Sequence, residues 1–180
     1  MLKGKEVVLG VSGGIAVYKT AELTRLLVKE GANVHVIMTK NAQEFVTPLT
    51  FQTLSGNPVS AELFDLSRRS EVKHVSLAEK SDLLVIAPAT ANIIGKIASG
   101  IADDLLTTTV MANRSPIIIA PAMNVLMWEN PIVQENIKKL KKLGLKFVEP
   151  GTGYLACGYE GKGRLAEPEA ILKKIKTLLK

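Results

Sequence analysis

The sequence holds one cysteine, two histidines and one tryptophan, and aromatic residues make up only 4% of it. A lone cysteine, Cys157, closes no intramolecular disulfide, which excludes a disulfide-stapled secreted domain and fits a reducing compartment. So sparse an aromatic complement excludes a stacking platform for single-stranded nucleic acid. No apolar run approaches the roughly 18 residues that a membrane span requires. The N-terminal stretch MLKGKEVVLGVSGGIAVYK is broken by glycines where a signal peptide needs an uninterrupted apolar core. These absences predict a cytoplasmic protein with no membrane partner. No internal repeat or low-complexity segment is present.

What remains is an ordinary globular chain of 180 residues, 47% hydrophobic, long enough to bury one sizeable core and too short for two full ones. The net charge of +6 is carried by lysines that gather where helices meet solvent, as in Lys138, Lys139, Lys141 and Lys142, and again in Lys173, Lys174, Lys176 and Lys180. These read as solvated helix faces, and no nucleic-acid motif accompanies them, so no nucleic-acid partner is expected.

Short valine- and isoleucine-rich runs at Glu6 to Val11, Asn33 to Met38, Leu83 to Ala87, Ile117 to Ala120 and Lys146 to Val148 read as strands. Amphipathic stretches at Ile15 to Lys29, Val75 to Lys80, Ile93 to Ile101, Leu105 to Ala112, Pro131 to Leu143 and Glu167 to Leu179 read as helices. Nearly continuous apolar strands alternating with helices predict a doubly wound, mostly parallel α/β sheet covered on both faces, of the Rossmann or flavodoxin-like kind, in a single domain spanning 1–180. Two stretches fit the alternation poorly: 41–70, and Gly151 to Arg164 with five glycines in fourteen residues. Ligands of such sheets bind beyond the carboxyl ends of the strands, so these are candidate walls, and 151–165 is a candidate flap.

The first strand runs into Gly10-Val-Ser-Gly-Gly14-Ile, small residues that let the backbone approach a ligand while the next helix aims its N–H groups at it, which favours an anion. The spacing is not G-x-G-x-x-G, and the second strand ends in Thr39-Lys40 where a ribose-binding acid would stand for NAD. A hydroxyl and an ammonium suit a monophosphate such as that of FMN, and equally the 2′-phosphate of NADP. Ala87-Pro-Ala-Thr-Ala-Asn92 repeats the device after the third strand, with Thr90 and Asn92 either capping the next helix or contacting a ligand. Asp103 or Asp104 is placed to cap the helix after Gly100-Ile-Ala-Asp-Asp104. His35 lies inside a strand and reads as structural, whereas His74 follows a polar run at a helix start. Asn124, in Pro121-Ala-Met-Asn124, offers a donor and an acceptor suited to a carboxylate. Met123, Met127 and Trp128 read first as core. Cys157 lies in a glycine-rich segment with Lys162 and Arg164, cations that lower a thiol's pKa.

Taken together, Ser12-Gly-Gly-Ile15, His74-Val-Ser-Leu, Ala87-Pro-Ala-Thr-Ala-Asn92, Gly100-Ile-Ala-Asp-Asp-Leu105, Pro121-Ala-Met-Asn124 and Ala156-Cys-Gly158 resemble the homo-oligomeric flavin-containing cysteine decarboxylases, in the family's order and over nearly the whole chain. The resemblance implies FMN held by Ser12, Gly13, Gly14, Ile15 and Thr39, with further contacts from Thr90, Ala91 and Asn92. It implies a substrate cysteine, in the branch indicated the small molecule 4′-phosphopantothenoylcysteine of coenzyme A biosynthesis, bound by Ala122, Met123, Asn124, Lys162 and Arg164. The implied chemistry oxidises the carbon next to sulfur to a thioaldehyde, releases carbon dioxide, and returns the electrons to the enethiol, so there is no net oxidation. His74 would serve as base or positioning group, Asn124 would hold the carboxylate, and Cys157 would donate the last proton. Relatives that stop at the oxidised enethiol, such as the peptidyl-cysteine decarboxylases, do not need that step, and non-catalytic flavin-binding regulatory subunits need none of it. A flavin prenyltransferase of the same fold would not need Asn124 and Cys157 in these contexts. The family implies trimers or dodecamers with sites between subunits, and a phosphopantothenate–cysteine ligase as fused domain or partner.

Overall fold

A computed structural model describes residues 1–64, 73–154, 158 and 160–180. Its centre is a five-stranded parallel sheet in the order β2-β1-β3-β4-β5. The strands are β1 (Glu6–Val11), β2 (Asn33–Met38), β3 (Leu83–Ala89), β4 (Ile117–Pro121) and β5 (Lys146–Phe147). β1 pairs with β2 from Glu6↔Asn33 to Val11↔Met38, and with β3 from Val7↔Leu83 to Gly10↔Ile86. This is the flavodoxin-like strand order, with its switch point between β1 and β3.

Both faces of the central strands are buried, which is why their sequences are nearly unbroken runs of apolar residues. Val7, Leu9 and Val11 of β1, with Leu83, Val85 and Ala87 of β3, face one core. Leu23 and Leu27 of helix α1 (Val17–Lys29), Phe51 of α2 (Pro48–Ser55) and Ile171 and Ile175 of α8 (Pro168–Leu178) close it. Val8, Leu84 and Ile86 face the other. That core is closed by Leu77 of α3 (Lys73–Lys80), Ile93, Ile94 and Ile97 of α4 (Ala91–Ser99), Leu105, Leu106 and Val110 of α5 (Leu105–Ala112), and Ile137 and Leu140 of α7 (Pro131–Lys142). A short helix α6 (Val125–Glu129) carries Trp128 into the second core. Among the described residues no helix is long and apolar enough to cross a membrane.

The two stretches that break the alternation have structure of their own. After β2 the chain makes a 3-10 turn, Lys40–Glu44, capped by Thr39, and then α2, which opens on Pro48 and is terminated by Gly56 in the left-handed conformation, φ 72°. Eight residues ended by proline and glycine are too short for hydrophobic periodicity to register, which is why the sequence reads there as irregular. The glycine-rich segment is an antiparallel hairpin of β6 (Gly151–Tyr154) and β7 (Glu160–Arg164). The cap of α5 is Asp104, which accepts from the Thr107 N–H at 2.8 Å in a capping box, while Asp103 turns outward to Lys96. His35 lies on β2 with Nε2 2.6 Å from Glu6 Oε2 of β1, a strand-to-strand contact remote from the turns beyond the carboxyl ends.

Leu23 is fully buried between α1 and the sheet. Leu23→Ala is expected to lower unfolding free energy by about 2–5 kcal/mol. Urea denaturation with an unchanged m-value checks it.

Candidate functional site

β1 and β3 are neighbours, but the helices that follow them leave on opposite faces of the sheet, so their exit turns diverge and open a cleft. It measures about 740 Å³, within the size range of small-molecule and cofactor sites. Its floor is Ser12, Gly13 and Gly14 from the first turn, with Thr90, Ala91 and Asn92 from the second. Its walls are Ile15, Tyr18 and Lys19 of the first turn and α1, Thr39, Lys40 and Asn41 after β2, and Lys96 and Asp104. The last side is Ala122, Met123, Asn124 and Met127 with Tyr154, Gly163, Arg164 and Leu165.

The two floor turns are tied together at Ser12, through its hydroxyl and through its backbone N–H, which donates to the Pro88 carbonyl at 3.4 Å. Ser12 is buried; its Oγ donates to the Pro88 carbonyl at 2.7 Å and accepts from the Thr90 N–H at 3.1 Å. Thr90 in turn caps α4, accepting from the Ile93 N–H at 3.4 Å. Ser12 therefore acts through its side chain on the second turn, a role that spacing alone did not suggest. Gly13 is required by crowding: a Cβ there would lie 2.5 Å from Asn41 Cβ and 2.8 Å from the Asn41 backbone. The turn and the segment after β2 thus close on each other with only backbone between them and the cleft.

On the opposite side, Asn124 caps α6, its Oδ1 accepting from the Leu126 N–H at 2.8 Å, which fixes the side chain at the cleft. The turn is fastened to the hairpin by the Met123 N–H, which donates to the Gly163 carbonyl at 2.9 Å. Gly163 has φ 154°, and a Cβ there would sit 2.3 Å from the Met123 carbonyl oxygen; one on Gly161 would meet Val125 Cγ2 at 2.7 Å. Glycine is needed at both places for the hairpin to lie this close. Ile15, Tyr18, Met127 and Tyr154 present exposed apolar surface around the rim. Met123 and Met127, read from sequence as core, face the cleft, while Trp128 is buried.

Of the residues singled out from sequence, the cleft gathers Ser12, Gly13, Gly14, Ile15, Thr39, Thr90, Ala91, Asn92, Ala122, Met123, Asn124 and Arg164. Lys162 is turned elsewhere. Its Nζ lies 2.9 Å from Glu149 Oε2 and 5.3 Å from the Trp128 ring centroid; the bulge that sets Gly151 opposite Arg164 and Thr152 opposite Lys162 breaks the two-residue alternation, so Lys162 and Arg164 do not share a face. His74 also lies outside the lining, on α3 against α5, with Nδ1 buried and without a hydrogen-bond partner. Cys157 lies outside the described residues. Lys19 and Lys96, which line the cleft, were not anticipated. The Tyr18-Lys19 pair follows the glycine turn by one helical turn, and that position was the available signal.

The cleft suits a flat, phosphorylated group. It has the volume and a floor of small residues that leaves backbone within reach. Four cations (Lys19, Lys40, Lys96 and Arg164) line it against one lining carboxylate, Asp104.

All 180 residues match the model of the flavoprotein family, described as Flavoprotein. The chain belongs to that family. It is 56% identical over 173 residues to the coenzyme A biosynthesis bifunctional protein CoaBC of Bacillus subtilis, covering 96% of this chain and 43% of that protein. The same-named protein of Escherichia coli is 44% identical, with 95% and 42% covered. The chain thus spans less than half the length of these curated relatives. Among solved structures, a cysteine-to-serine mutant of PPC decarboxylase complexed with pantothenoylaminoethenethiol superposes with TM-score 0.85 at 33% identity, covering 96% of this chain and 97% of that one. The FMN-dependent cysteine decarboxylase SpaF gives 0.87 at 32%, covering 99% and 97%.

Glu149 receives Lys141 Nζ at 2.8 Å and Lys162 Nζ at 2.9 Å, and these ammonium groups hold its carboxyl below the ordinary 4.5. A depressed carboxylate contributes stability above its unfolded pKa and loses it as pH falls through the folded one. The Lys141–Glu149–Lys162 bridge is therefore expected to loosen on acidification below pH 4.5. Trp128 fluorescence should report it as a step that Glu149→Gln abolishes.

Proposed function

We propose that this chain is an FMN-dependent phosphopantothenoylcysteine decarboxylase acting in coenzyme A biosynthesis. Two findings together carry the reading: likeness over 97% of a PPC decarboxylase chain, and a single cleft holding the glycine turn, Asn124 and a set of cations. The amides of Gly13 and Gly14, with Thr39 and Lys40, would hold the FMN phosphate, and Thr90, Ala91 and Asn92 would meet the rest of the cofactor. Bound FMN supplies the reversible two-electron acceptor that a cysteine carboxylate lacks.

Asn124, held by its cap on α6, would bind the substrate carboxylate through its amide N–H. Met127 and Tyr154 at the rim would exclude water from the reacting carbon. Cys157, carried between β6 and β7, would give the final proton, which separates this activity from that of decarboxylases that release an enethiol. The enethiol held by a cysteine-to-serine PPC decarboxylase is the species expected where that last step is lost.

His74 lies on α3, away from the cleft of its own chain, and Val75, Ile101 and Met111 expose apolar surface on or beside α3 and α5. We infer a homo-oligomer, a trimer or an assembly of trimers, in which His74 serves the cleft of a second copy. A ligase that joins cysteine to phosphopantothenate, fused or separate, would supply the substrate in the cytoplasm.

Purified protein is expected to be yellow and to convert 4′-phosphopantothenoylcysteine to 4′-phosphopantetheine and carbon dioxide. Cys157→Ser should stall at a product lighter by one hydride and one proton, read by mass spectrometry. Asn124→Asp, which sets carboxylate against carboxylate, should lower kcat/KM by about 10²-fold or more. Flavin-loaded protein without turnover would favour a regulatory role, and a colourless protein that cannot be reconstituted with FMN would defeat the assignment. Co-expression of the inactive His74→Asn and Asn124→Asp chains should restore activity if each site draws on two copies; failure to complement would confine the site to one chain.

A further inference from the structure

Among the described residues, the four cations lining the cleft are held in different ways. Lys96 Nζ lies 2.8 Å from both carboxylate oxygens of Asp103 and 3.7 Å from Asp104, so that corner is already neutralised. Lys40 follows Thr39 and lies at the phosphate turn. Lys19 and Arg164 converge on a third place. Lys19 Nζ is 2.7 Å and Arg164 Nη2 is 4.0 Å from the same oxygen, Glu167 Oε1. Two cations on one oxygen leave an excess positive charge.

The partners are also unequally solvated. The Lys19 side chain is 11% exposed, while that of Glu167 is 63% exposed. A largely dehydrated ammonium gains much from an anion, whereas a water-exposed carboxylate loses little on turning away. Glu167 stands at the N-terminus of α8 but caps none of its amides with its side chain, so the helix does not depend on the carboxylate staying in place.

We propose that Lys19 and Arg164 form a second anion subsite, distinct from the phosphate turn, that receives the terminal phosphate of the substrate, with Glu167 as the internal anion that the phosphate displaces. The guanidinium supplies a planar fork and the ammonium a point charge, a pair suited to a phosphate dianion. The proposal rests on the decarboxylase reading, and it explains how one cleft holds two phosphorylated molecules without forcing their charges onto one turn.

The test titrates the FMN-loaded protein with 4′-phosphopantetheine and with pantetheine by calorimetry, and measures turnover separately. The ratio of the pantetheine Kd to the 4′-phosphopantetheine Kd is expected to fall by about ten- to a hundredfold in Arg164→Gln and in Lys19→Gln, and to rise in Glu167→Gln, where the competing anion is gone. Lys141→Gln, outside the cleft, should leave it unchanged. An unmoved ratio in Arg164→Gln, or loss of bound FMN with the ratio intact, overturns the subsite. Arg164 is partly exposed, so this variant stands even if Lys19→Gln does not fold. A shifted ratio in a protein that never decarboxylates keeps the subsite and removes the decarboxylase reading; turnover with an unmoved ratio does the reverse.

Discussion

A single buried hydroxyl, Ser12 Oγ, joins the two turns on which the whole cleft is built. Parallel pairing places β1 and β3 side by side, and winding to opposite faces then pulls their exits apart. Without that hydroxyl, the Thr90 N–H would have to find water at the base of the cleft. By donating to Pro88 and accepting from Thr90, Ser12 satisfies both turns and keeps them at hydrogen-bonding distance. Everything above follows from that spacing: the start of α1, the cap of α4, and the width left for a ligand between them.

Charge is distributed around this frame with equal economy. Lysines cluster on α7 and α8, but a few across the chain are placed with partners that tune them. Asp103 and Asp104 neutralise Lys96, Glu149 draws Lys141 and Lys162 away to the far side of the hairpin, and Glu167 leaves Lys19 and Arg164 under-compensated. Net charge says little about where an anion will bind. The distribution of carboxylates among the cations says much more.

The sheet was legible in the sequence because both faces of β1, β3 and β4 are buried, and the resulting unbroken runs of Val, Ile and Leu stand out from the amphipathic helices. The glycine turns and Asn124 were legible for a related reason, since small residues and a carboxamide at strand exits have few other uses. Lys162 and Lys19 were not. Whether a strand residue faces the cleft or its back depends on a parity that the bulge near Gly151 shifts, and the carboxylate that Lys19 meets at the cleft, Glu167, comes from more than a hundred residues away. The remoteness of His74 from its own cleft is likewise a property of how α3 packs, and no local pattern encodes it.

The hairpin's glycines have a further consequence for how such a protein can vary. Gly161 and Gly163 lie so close to Val125 and the Met123 carbonyl that any side chain added there would push the arm off its seat. The β7 arm behaves as a mortise joint, intolerant of change. Variation is left to positions outside the joint, which can change without re-cutting it, so one mount serves cleft walls of different chemistry.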